Sequence, residues 1–74
     1  MTIREIREAY DKNYQEILRV ITEMGGDANI SYHRKKRTRL YLKLRNLQRI
    51  EHRLSHLEEA LAERESFSKR HAHN

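Results

Sequence analysis

Seventy-four residues, with 16 Lys and Arg against 11 Asp and Glu, two Gly and no Cys, Pro or Trp, bound what this chain can be. One small domain is the ceiling, with a core too slight to be secure alone, and neither a disulfide framework nor a thiolate metal site is open to it. No apolar run approaches the roughly 20 residues that cross a bilayer, and none near the N-terminus resembles a signal peptide, so a cytoplasmic protein is expected.

The chain is 36% charged and 36% hydrophobic. Leu, Ile, Val and Phe make up 16 of the 74 residues, just above the roughly 20% below which chains stay unfolded. Near absence of Gly and Pro, together with the regular spacing of the apolar residues, argues for a folded chain.

The first predicted element is a helix over about 2–24. Thr2 with Glu5 three residues later reads as a capping box, in which each side chain satisfies an orphan backbone N–H. Ile3, Ile6, Tyr10, Tyr14, Ile17, Ile21 and Met24 then recur every three or four residues, the stripe of an amphipathic helix. Tyr10 and Tyr14 are read as part of the core, with their hydroxyls at its margin. The two glycines are adjacent, and Gly25 suits the left-handed residue that ends a helix. Residues 25–31 form the expected loop, with Asp27, Asn29 and Ser31 as candidate caps.

The second predicted element is one continuous helix over about 32–66, since no Gly or Pro interrupts it. Its stripe is Leu40, Leu44, Leu47, Ile50, Leu54, Leu57 and Leu61. Residues 67–74 lose the period and read as a frayed tail. The fold class expected is therefore all-α: an antiparallel helical hairpin over 1–66, with a short helix 1 and a longer helix 2. Helix 1, about 33 Å long, would run out near Leu54 on a partner of about 51 Å. Leu54, Leu57 and Leu61 are accordingly the expected dimer or partner interface, and a homodimer forming a helical bundle the expected assembly.

Charge is unevenly placed. Residues 1–26 and 51–74 each carry net −1, while 27–50 carry +7 from Arg34, Lys35, Lys36, Arg37, Arg39, Lys43, Arg45 and Arg49 against Asp27. In a continuous helix these cations would sit at the N-terminal end, opposing the macrodipole and repelling one another at i,i+4. A feature that lowers local stability calls for an anionic partner. Nucleic acid, bound by its phosphates through this basic collar, is the first candidate. The alternative is an inhibitor or adaptor docking on an acidic protein surface, as a phage or mobile-element regulator would. The collar could also serve only the dimer, lying beside the acidic half of a second copy.

Other constellations carry less. His52 and His56 have a spacing that could hold Zn²⁺, but Arg53 stands where an H-E-x-x-H motif needs Glu, and the pair is read as solvent-facing. No phosphate loop or nucleophile elbow is present. No enzyme activity, cofactor, metal or small-molecule substrate is expected. Membrane binding is not expected either, because Phe67 alone offers an interfacial anchor beyond the tyrosines.

Overall fold

The computed structural model describes the backbone of residues 1–72 and the side chains of residues 1–65. The chain is all-α. Helix α1 spans Ile3–Met24, a 3₁₀ turn Asp27–Asn29, helix α2 Ile30–Lys36 and helix α3 Arg39–Ala72. The backbone of residues 67–72, expected as part of a frayed tail, instead continues α3, and residues 73–74 lie outside the described residues.

Helix α1 begins where its cap predicts. The Glu5 backbone N–H donates to Thr2 Oγ1 at 3.1 Å, and the Thr2 hydroxyl donates to Glu5 Oε1 at 3.3 Å. The helix ends in a Schellman turn: Gly26 N–H donates to the Ile21 carbonyl at 2.9 Å and Gly25 N–H to that of Thr22 at 3.0 Å, with Gly25 at φ +98°.

The second expected helix is divided. Its first turns are α2, and the chain breaks at Arg37 and Thr38 before α3 begins. Arg37 takes φ +49°, and the hydrogen bonds repeat those at Gly25: Thr38 N–H to the His33 carbonyl at 3.1 Å, Arg37 N–H to that of Arg34 at 3.2 Å. Thr38 then caps α3, its Oγ1 accepting from Tyr41 N–H at 3.2 Å. A helix therefore stops here without Gly or Pro, because the following helix supplies its own cap.

Helices α1 and α3 lie side by side with opposed numbering, Asn13 opposite Leu47 and Glu16 opposite Lys43. Ile17, Val20, Met24 and Leu44 are buried together, with Ile21, Ile30, Leu40, Tyr41 and Leu47 packed around them. Ile6 and Leu54 are buried farther along the same pair of helices. The face α1 uses is rotated from the expected stripe. Val20 is 1% exposed, whereas Tyr14 is 46% exposed and Tyr10 half-buried. Ile17, Val20 and Met24 fill the seam against Leu44, and the bulkier tyrosines take its flank.

Asn13 is the buried polar side chain among the described residues, and its Nδ2 donates to the Leu47 carbonyl at 2.8 Å. A buried amide without such a partner would cost about 1–3 kcal/mol, so this bond favours one helix register over its neighbours.

Candidate nucleic-acid interface

The break at Arg37 redistributes the basic residues. Arg34, Lys35 and Lys36 form the last turn of α2, Arg37 is its left-handed C-cap, and Arg39 opens α3. All five are exposed, and so are Lys43, Arg45 and Arg49 farther along α3. The expected conflict with a helix macrodipole is thereby corrected for the first four. Cations at the C-terminal end of α2 face carbonyl ends, where positive charge is favourable. Lys35 and Arg39 no longer stand at i,i+4 on one helix. The conflict persists at Arg39, in a first turn of α3 that has no acidic residue.

Among the described residues Lys43 alone of the eight cations forms an ion pair, Nζ to Glu16 Oε1 at 3.5 Å, so it ties α3 to α1. Arg34 Nη2 donates to Ser31 Oγ at 3.3 Å, which leaves its charge unneutralised. In α1, by comparison, Arg4 pairs with Glu8 at 3.4 Å and Arg19 with Glu16, while Arg7 and Lys12 form no ion pair among the described residues.

His33 holds this basic knuckle in shape, a role the sequence reading missed. Its Nε2 lies 3.1 Å from the Met24 carbonyl at the end of α1, and its Nδ1 lies 2.8 Å from Thr38 Oγ1 at the start of α3. The Met24 carbonyl can only accept, so Nε2 carries the hydrogen. In the neutral ring Nδ1 accepts from the Thr38 hydroxyl, whose oxygen in turn accepts from Tyr41 N–H. One half-buried imidazole thus joins the ends of three helices. The available signal was Thr38, a good N-cap directly before the stripe that starts at Leu40.

Arg45, Gln48, Arg49, His52 and Arg53 flank a shallow open depression between side chains on the outside of α3. His52, at the end of it, meets His56, with their Nε2 atoms 3.0 Å apart and their rings edge to face, both exposed. Among the described residues no group of three or more His, Cys, Asp or Glu could hold a metal ion. No helix among them is long and apolar enough to cross a membrane.

The expected apolar interface separates into three cases. Leu54 is 7% exposed and buried within this chain, so it is not free for a partner. Leu57 is 40% exposed and Leu61 half-buried. Ile50, placed on the same stripe, is 45% exposed.

Comparison with protein-family models, with curated proteins and with solved structures finds no match to this chain.

Proposed function

We propose that this chain is a small, non-enzymatic binding protein that grips the phosphate backbone of nucleic acid through the basic knuckle between α2 and α3. One observation carries the reading: Arg34, Lys35, Lys36, Arg37, Arg39, Arg45 and Arg49 are all exposed, and none pairs with a carboxylate among the described residues. Phosphates would supply the missing anions, with release of condensed counterions. Arg37 supports it further. A non-glycine residue in the left-handed region costs about 1–2 kcal/mol, and a long cation kept at such a position is accounted for by what it binds.

In this reading α1 and α3 form an antiparallel helical hairpin, and two hairpins associate into a bundle through the half-covered apolar residues of α3, Ile50, Leu57 and Leu61. Sedimentation at micromolar concentration should give twice the chain mass, and Leu57→Asp should return it to the monomer. A second reading, docking on an acidic protein surface, draws on the same unpaired cations and on the exposure of Leu57.

A salt titration of binding tests the proposal. If about six phosphates are neutralised, log K falls against log salt with a slope of about −5. The triple variant Lys35→Ala, Lys36→Ala, Arg37→Ala should make that slope shallower by about 3 while helicity is kept. Absence of binding to any nucleic acid at low salt would overturn the reading.

A further inference from the structure

The basic surface continues from the knuckle along the outside of α3. From Arg45 to His56 the outer face of α3 presents Arg45, Gln48, Arg49, His52, Arg53 and His56, all exposed. The carboxylate within that stretch, Glu51, is half-buried on the other side. Arg45, Arg49 and Arg53 form no ion pair among the described residues. At roughly 100° per residue, Arg45, Arg49, His52 and His56 fall within about 60° of one another, with Gln48 and Arg53 on opposite flanks. The face is a ridge of positive and hydrogen-bonding groups with a flank on either side. Its sign changes farther along, at the exposed Glu59 and Glu63.

The shape of this ridge selects a partner. An α-helix with its side chains is about 10–12 Å across, and the major groove of B-form DNA is about 12 Å wide. The groove of A-form RNA equivalent to it is deep and too narrow to be read by side chains. The molecule is 57 Å long and 19 × 18 Å in section, so only the outer side of α3 can enter while α1 stays outside.

We infer that the outer face of α3 from Arg45 to His56 lies in the major groove of duplex DNA, with Arg45, Arg49 and His52 toward base edges and Gln48 and Arg53 toward the two backbones. The inference rests on the nucleic-acid reading above and names its partner. Arginine facing the groove floor favours guanine, whose O6 and N7 accept a bidentate guanidinium. Glu59 and Glu63, exposed on the same face, mark where α3 must leave the groove, since carboxylates repel the phosphates on either side.

Fluorescence anisotropy of the full chain on a DNA duplex of about two turns, and on the RNA duplex of the same sequence, tests this at matched salt. DNA should bind at least about tenfold more tightly than RNA. The double variant Arg45→Ala, Arg49→Ala should weaken DNA binding about tenfold more than it weakens RNA binding, which loses only two backbone cations. Circular dichroism would show that the variant, altered only at exposed positions, stays helical. Equal affinity for the two duplexes, or DNA affinity unchanged in the variant, overturns the groove contact and leaves the knuckle reading standing. Failure of the unmodified chain to bind either duplex overturns both.

Discussion

The chain ends a helix twice with the same pair of hydrogen bonds, once at Gly25 and once at Arg37, and the two turns are stabilised differently. At Gly25 the left-handed backbone suits the residue that occupies it, since glycine has no Cβ to clash with the neighbouring carbonyl. At Arg37 the residue opposes that conformation by about 1–2 kcal/mol. Side chains around the turn offset it: His33 reaches from the Met24 carbonyl to Thr38 Oγ1, and Thr38 caps the next helix. The first turn is secured by local backbone preference, the second by tertiary contacts.

Exchange of residue types at the two turns should act in opposite directions. Gly25→Ala should have the largest effect, a loss of about 2 kcal/mol read from urea unfolding. A Cβ at Gly25 would lie 2.5 Å from Asn29 Nδ2, so the φ penalty is joined by loss of the bond from that amide to the Gly25 carbonyl. His33→Ala should cost about 1–2 kcal/mol, because it strips partners from the Met24 carbonyl and the Thr38 hydroxyl together. Amide exchange in that variant should rise first at Tyr41 and Leu42, whose N–H groups are held by Thr38. Arg37→Gly should instead stabilise the fold by about 1 kcal/mol, while reducing the salt slope of nucleic-acid binding by about 1 if the knuckle contacts phosphate. A destabilised Arg37→Gly protein would show that the arginine side chain contributes to the turn itself.

The same distinction explains what could be read from the sequence. Thr2, Glu5 and Gly25 mark the ends of α1 because caps and left-handed glycines are local signals. The concentration of charge over residues 27–50 was equally visible, since counting needs no coordinates. The break at Arg37 showed only in Thr38 as a cap before Leu40, for a seven-residue helix is too short to show a period and an arginine gives no sign of adopting positive φ. Periodicity did find the apolar side of α1 but misplaced its centre. Choosing between Tyr14 and Asn13 for the seam depends on the Leu47 carbonyl, 34 residues away, that only the folded pair brings to Asn13.

The smallest effect sharpens the comparison most. Asn29 is exposed, and its single bond to the Gly25 carbonyl, 2.9 Å, should be worth about 0.5 kcal/mol when Asn29→Ala is measured alone. In a Gly25→Ala background the same substitution should cost nothing, because the new Cβ has already displaced the amide. The double-mutant cycle then returns a coupling of about 0.5 kcal/mol between the two sites. Strict additivity would mean that Asn29 moves aside while keeping its bond, and that all of the Gly25→Ala loss comes from backbone strain. No such coupling is expected between Asn29 and Arg37, whose turn is held instead by His33 and Thr38. The two turns share a hydrogen-bond pattern and divide its support between different side chains.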